Sequence, residues 1–448
     1  MTNHLDSRGR SAARRRARVA AAVAWLAILG VGALAIGRQA AGSADWPQWR
    51  GASRDGRVTA PLPAAGWPAR LQRLWEREVG GGYSGPVVVG DRVWIHSRQG
   101  DREVVSALRL ATGEPLWSAG YDAPFVQDPD AGPHGRGPYA TPAVAGGRLF
   151  TFGVTSLLSA WDAGTGRLLW RRDSGSGFRG PFPYFGAAAS PLVWEQRCFV
   201  HLGGDDRSRF DSPGTGAMVS FDVVDGREIW RWTGDGPALG ASPVVATVAG
   251  RAQLIFKTKR KIVALDPQTG QELWQFPYVV SQDNTIVTPL VFGDRLLTSD
   301  FDFGIAAWQI HPRAAAPGTW TARSLWQTRD ASMFLSSPVL VDGLVVGFSH
   351  FRKGQLFALD PEGGRVVWSG PVRSGEHATL IGWGAFLMAF LENGSLEIHR
   401  VSRAGLRLER RYQLGAATAW SHPAVTGSRI LVRDGARLVA FGLGSDRP

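Results

Sequence analysis

The sequence predicts an all-β protein, an eight-bladed β-propeller of four-stranded antiparallel blades that follows an N-terminal hydrophobic helix. Three observations predict it. The chain is rich in turn formers and in tryptophan, with 57 Gly, 27 Pro and 19 Trp among 448 residues, and helix-favouring runs are scarce beyond the N-terminus. A unit in which Asp is followed by Gly four residues later, and by Trp four residues after that, recurs along the chain. Each such unit is preceded by a small residue, Pro and two or three apolar residues.

Residues 1–44 read as a targeting segment. Arg14, Arg15, Arg16 and Arg18 precede an uncharged run of 19 residues, Val19 to Gly37, rich in Ala and Gly. That length sits at the short end of a membrane span. Arginine on the N-terminal side holds that side in the cytoplasm and places the body, residues 45–448, beyond it. Two readings of the segment stand. It is a signal peptide cleaved after Ala33-Leu34-Ala35 or Gly42-Ser43-Ala44, or a retained inner-membrane anchor through residues 19–37. Either way the body is expected in the periplasm or another extracytoplasmic space.

The blades come next. Gly85-Pro86, Thr141-Pro142, Ser190-Pro191, Ser242-Pro243, Thr288-Pro289, Ser337-Pro338 and His422-Pro423 mark strand starts, because Pro is tolerated at the first residue of a strand. An eighth start, Ala378-Thr379-Leu380-Ile381, lacks the Pro. The Asp-Gly-Trp units are Asp162, Gly166 and Trp170; Asp222, Gly226 and Trp230; Asp266, Gly270 and Trp274; and Asp360, Gly364 and Trp368. Arg109, Gly113 and Trp117 match with Arg in the Asp place. The Asp side chain can bond turn N–H groups. The Gly supplies positive φ. The Trp on the outer strand packs into the neighbouring sheet. The last unit, from His422, has three strands. Leu71 to Val79 carries Trp75 and supplies the fourth, so the ring closes without a free edge.

Charge and cysteine narrow the function classes. Of the net charge of +12, half lies in residues 1–44, where seven Arg face one Asp. The remainder, on a long body without a basic helix or zinc-knuckle spacing, is surface character and not a nucleic-acid signature. Cys198 is the single cysteine, so no intrachain disulfide forms, and its strand-like surroundings make it a small buried apolar residue. Asp205, Asp206, Asp211, Asp300 and Asp302 lack EF-hand spacing and read as solvated loop acids. Lys257, Lys259, Arg260 and Lys261 read as a solvated hairpin tip.

The repeat is similar to that of the PQQ-like propeller family, the quinoprotein alcohol dehydrogenase superfamily. Asp45-Trp46-Pro47-Gln48-Trp49-Arg50-Gly51, with Arg54-Asp55-Gly56, resembles the start of exported bacterial members. The resemblance spans Asp45 to about Gly444. In the family's dehydrogenases it implies PQQ on the propeller axis over a tryptophan floor. Two adjacent cysteines, a calcium held by Glu, Asn and Asp, and a catalytic Asp complete that site. Here Cys198 stands alone, and no motif places the calcium ligands or the catalytic Asp. A non-catalytic outer-membrane assembly factor in the family is nearer in length; it is a lipoprotein, and this N-terminus has no lipid-bearing Cys.

The loops joining one blade's outer strand to the next blade's inner strand carry the candidate binding residues. They hold Phe125, His134, Arg136 and Tyr139; Phe178, Arg179, Phe182, Tyr184 and Phe185; Asp283 and Asn284; Met333 and Phe334; Glu376 and His377; and Trp420. Such loops gather around the mouth of the central channel, and aromatics with Arg suit contact sites. His134, Arg136, Tyr139, Phe178, Arg179, Tyr184 and Trp420 are the chosen candidates. The expectation is a non-catalytic, exported, monomeric scaffold that binds a protein or cell-envelope component through this face, with no cofactor. The alternatives are an oxidoreductase using PQQ with calcium, and a small-molecule or glycan-binding module.

Overall fold

Short inner strands and longer outer strands set the architecture. The inner strands hold three to six residues and are apolar on both faces, as in Val87–Val89, where Val87 and Val88 are fully buried. Outer strands alternate, as in Gln72–Glu78, where Trp75 is buried and the ends are exposed. In a computed structural model the described residues are 44–443, apart from 64–65, 128, 130–133, 174–184, 205–214, 237–239, 280–285, 315–317 and 416–419. They form eight antiparallel blades: 87–122, 143–173, 192–232, 244–277, 290–328, 339–369, 378–413, and 424–442 joined by Gln72–Glu78. Among the described residues no helix is long and apolar enough to cross a membrane. The hydrophobic segment 19–37 lies outside them.

The ring closes as the sequence predicts. Gln72–Glu78 pairs antiparallel with Arg437–Gly442 as the outer strand of blade 8. Arg433, 1% exposed, fastens the seam from blade 8 to blade 1. Its Nη1 donates to the carbonyls of Ser84 (3.0 Å) and His96 (3.1 Å), and its Nη2 donates to that of Gly80.

The repeat glycines and tryptophans belong together across blades. Gly113, Gly166, Gly226, Gly270 and Gly364 all have φ between 67° and 74°. A Cβ on any of them would also lie 2.4–2.6 Å from a ring atom of Trp75, Trp117, Trp170, Trp230 or Trp326, each from the preceding blade. Each of these rings also donates its Nε1–H to a carbonyl of the next blade, as Trp75 does to Leu110 at 2.9 Å. Only glycine meets both demands, a left-handed turn and close approach of a ring. The turn Asp acts as expected, with Asp162 Oδ1 accepting from Thr165 N at 2.8 Å and Asp266 Oδ1 from Gln268 N at 2.9 Å. Trp274 and Trp368 depart from this pattern, Trp368 lying against Gly405 of blade 7 instead; Trp274 differs more. It is buried but bonds Gln253 of its own blade at 2.8 Å, because blade 5 lacks the Asp-Gly turn.

The residues before each strand-start Pro form a belt around the axis. The backbone N–H of Gly85 donates to Thr141 Oγ1, that of Thr141 to Ser190 Oγ, and that of Ser190 to Ser242 Oγ. The belt continues from Ser242 N to Thr288 Oγ1 and from Thr288 N to Ser337 Oγ, all at 2.9–3.0 Å. The hydroxyl is therefore an inter-blade acceptor, which explains Ser and Thr at these positions.

Two expectations are corrected. Lys257 is no solvated tip; it is 1% exposed and its Nζ lies 3.1 Å from Asp300 Oδ2 and 2.9 Å from the Ser299 carbonyl. Lys259 is buried as well. Asp300 is likewise no loop acid but the buried partner of Lys257 in the adjoining blade. The inter-blade crevice is wide enough for a long side chain, and an ion pair compensates the two buried charges there. Asp205, Asp206 and Asp211 lie outside the described residues. Cys198 is fully buried, and burial pushes its thiol up to about 12.

Candidate functional site

The segment Asp45 to Val58 determines how the axis ends. Trp46 pairs with Val88 of blade 1 through both backbone groups, and the Pro47 carbonyl accepts from Val144 of blade 2. Arg54 donates to Pro191 and Ser190 of blade 3 at 2.8 and 3.1 Å, and Arg50 to Pro338 of blade 6. The Gly56 carbonyl accepts from Gly382, and Arg57–Val58 lies parallel to Ala378–Trp383 in blade 7. The segment thus crosses the axis and ties blades on opposite sides of it. Trp49 is within cation–π distance of two guanidinium groups, with Arg50 and Arg54 each 5.5 Å from its ring centroid.

Above this segment lies an axial cavity of about 430 Å³. Trp49 and Arg50 line one end, and the inter-blade loops the other. A simple register governs the loop end. The residue two before each strand start lines the cavity in every blade: Tyr83, Tyr139, Ala188, Gly240, Ile286, Leu335, Glu376 and Trp420. Blades 8, 1 and 2 thus present Trp and Tyr, blades 3 to 6 small or aliphatic residues, and blade 7 one carboxylate. The aromatics form a connected cluster. Tyr83 stacks on Trp420 (5.7 Å, 14°), and His134 meets Trp420 edge-on at 4.9 Å. Phe185 contacts both His134 and Tyr139, and His377 lies 3.7 Å from Trp420.

Electrostatics at the site follow from burial. Desolvation lowers Arg50 to about 10 and Arg54 to about 9, so both stay charged at neutral pH. His377 falls to about 4 and His422 to about 3, chiefly by burial, so both are neutral at pH 7. Among the described residues, neither ring nitrogen of His377, nor Nε2 of His422, has a hydrogen-bond partner. Among the described residues no group of three or more His, Cys, Asp or Glu could hold a metal ion.

Of the sequence-selected candidates, His134, Tyr139 and Trp420 meet at the cavity mouth. Arg136 turns away and pairs with Asp101 at 2.6 Å, while its carbonyl accepts from Arg98. Phe178, Arg179 and Tyr184 lie outside the described residues, as do Phe182, Asp283 and Asn284. Phe125 and Met333 pack inward. Phe185, Phe334, Glu376 and His377 line the cavity. The reading of the loops missed Tyr83, Trp49 and Arg50. The position two residues before each strand start would have revealed Tyr83.

A family profile described as outer membrane protein assembly factor BamB matches residues 101–370. The chain is similar to the outer membrane protein assembly factor BamB of Burkholderia pseudomallei (strain K96243). The two are 24% identical in a 369-residue alignment that covers 71% of this chain and 87% of that protein. In structure it is similar to BamB from Moraxella catarrhalis, with TM-score 0.59 and 16% identity over 85% of this chain and 100% of that one. It is also similar to a europium-containing methanol dehydrogenase, with TM-score 0.61 and 13% identity over 89% of this chain and 98% of that one. Likeness at such identity speaks for the shared propeller alone. The profile match, which runs from blade 1 through blade 6 and covers more than half of the sequence, shows that the chain belongs to the outer membrane protein assembly factor BamB family of PQQ-like repeat propellers.

Proposed function

We propose that this protein is an exported, non-catalytic scaffold of the cell envelope that binds a protein partner of outer-membrane assembly through its loop-rich face. The observation that carries the reading is the convergence of aromatic side chains from several inter-blade loops on the axial mouth, Tyr83, His134, Tyr139, Phe185 and Trp420 among them. Val126, Val279 and Val372, at 95%, 58% and 44% exposure, are exposed apolar residues in the loops after blades 1, 4 and 6. Aromatic anchors together with exposed apolar loop residues suit a protein contact. Membership in a family of outer membrane protein assembly factors supports a partner of that kind. In this reading residues 1–44 are the export signal or anchor.

The axial lining offers PQQ with calcium, the cofactor of the family's dehydrogenases, few metal donors. Calcium takes six to eight oxygen ligands, several of them carboxylates. Among the described residues the cavity lining contains one carboxylate, Glu376, and it is exposed at the mouth. Cys198 is buried in blade 3, away from the axis lining. Trp49 would supply a ring beneath an axial ligand, but the metal donors that PQQ with calcium needs are not among these residues. The lining does not fit that pair.

Site-specific photocrosslinking in cells tests the reading. A crosslinker at Val126, in the loop after blade 1, should trap an outer-membrane assembly component. One at Val224, exposed in a turn on the opposite face, should not. Equal trapping from both positions, or stoichiometric PQQ with alcohol oxidation by the purified protein, would overturn it.

A further inference from the structure

We propose that the axial cavity is a metal-independent binding site for an organic carboxylate with a flat apolar body. The cavity interior is rich in donors. Arg50 is 3% exposed and lines it; Nη2 donates to the Asp55 and Pro338 carbonyls, while Nη1 donates to no group among the described residues. Among the described residues no carboxylate lies within ion-pair distance of this guanidinium. Asp55 acts on it as a counter-charge from beyond contact, and a buried cation without a contacting carboxylate favours an anion beside it.

The belt adds neutral donors. The hydroxyls of Thr141, Ser190, Ser242 and Ser337 line the cavity, and each accepts a backbone N–H of the neighbouring blade. With a lone pair engaged, each keeps its own O–H, which donates to no partner among the described residues. The neutral rings of His377 and His422 each keep one acceptor nitrogen, Nε2 in His422 because its Nδ1 lies 3.2 Å from the Pro423 carbonyl, and Glu376 stands at the outer rim. A carboxylate is acceptor-only and can take the guanidinium and hydroxyl donors together. Above them, the aromatic side formed by Tyr83 and Trp420 faces the aliphatic side of Ile286 and Leu335, a slot suited to a flat apolar group. The volume lies within the range of small-molecule sites.

The ligand has two possible sources, a free small acid and the C-terminal carboxylate of a peptide. The site stands independently of the partner reading above, since crosslinking at Val126 does not require an occupied cavity. Calorimetric titration of the purified full-length chain at pH 7.5 uses 3-phenylpropionate and 3-phenylpropionamide as probes. It also uses a tripeptide ending in phenylalanine with a free or an amidated terminus. The acid should bind at least tenfold more tightly than its amide. A preference of the same size in the peptide pair assigns the site to a peptide terminus, and a preference confined to the small acid assigns it to a free acid. Arg50→Gln should reduce the preference to within about twofold. Because Arg50 also holds blade 6, a second variant guards against misfolding. Glu376→Gln, at the exposed rim, should tighten the acid severalfold and leave the amide unchanged. Acid and amide binding alike in the unmodified protein, or Glu376→Gln shifting both equally, overturns the proposal. So does PQQ with calcium binding more tightly than the acids.

Discussion

Trp75 tests the logic of the ring, because it is the docking tryptophan of the strand that closes it. Replacing it with alanine removes a ring that is 7% exposed, lies against Gly113 and donates to the Leu110 carbonyl at 2.9 Å. A buried tryptophan covers about 200 Å². At about 25 cal/mol per Å² this burial contributes about 5 kcal/mol, an upper bound because the unfolded chain buries some of it. Measured Trp→Ala changes in cores cost about 3–5 kcal/mol, so about 4 is expected. Trp75→Phe keeps most of the area and loses the N–H donor, which costs about 1 kcal/mol. Gly113→Ala should harm the parent protein by both clash and strain, since φ is +67° and the new Cβ would lie 2.6 Å from the ring. In the Trp75→Ala background only the strain remains, so the two changes should be strongly non-additive. A propeller of this size need not unfold in one step, so hydrogen exchange is the better assay. Amides of Gln72–Glu78 and Arg437–Gly442 should exchange about a thousandfold faster in Trp75→Ala, with blade 4 much less affected. Exchange at the seam within threefold of the parent would refute the docking role.

Two further perturbations probe the buried charges. Burial holds Lys257 below and Asp300 above their usual ranges, each opposed by the other's charge. Lys257→Met should cost about 3–5 kcal/mol by stranding a buried carboxylate, and Lys257→Met with Asp300→Leu should recover most of it. Equal losses of melting temperature in the single and double variants would contradict the pairing. His201 is lowered to about 4 by burial, so it is neutral in the folded chain and protonates first in the unfolded chain. Its contribution is complete above pH 6.5 and lost as pH falls toward 4, and the loss reaches about 2 kcal/mol at pH 5. Denaturant melts of His201→Gln should show a flatter loss of stability between pH 6.5 and 4.5 than the parent, and an unchanged slope would show that His201 does not carry it.

What was legible in the sequence is what repeats locally. Strand starts at Pro, turns at Asp and Gly and an outer-strand Trp recur within each blade, so blade number, strand order and the closing role of Leu71 to Val79 could be read from spacing alone. The aromatic content of the loops likewise pointed to His134, Tyr139 and Trp420. What only the tertiary structure decided lies between blades or across the axis. Gly113 is a docking surface because a Trp from another blade reaches it, and Thr141 is an acceptor because Gly85 stands beside it in the ring. Lys257 and Asp300 are 43 residues apart in the chain, and nothing local marks them as partners. Arg50 and Arg54 look like two charges in a short polar segment. They become buried cations beneath a cavity only because that segment spans the axis, bonding carbonyls 288 and 137 residues away. Periodicity records the pattern a chain repeats with itself; a guanidinium's burial depends on which distant carbonyls and hydroxyls the closed ring brings around it.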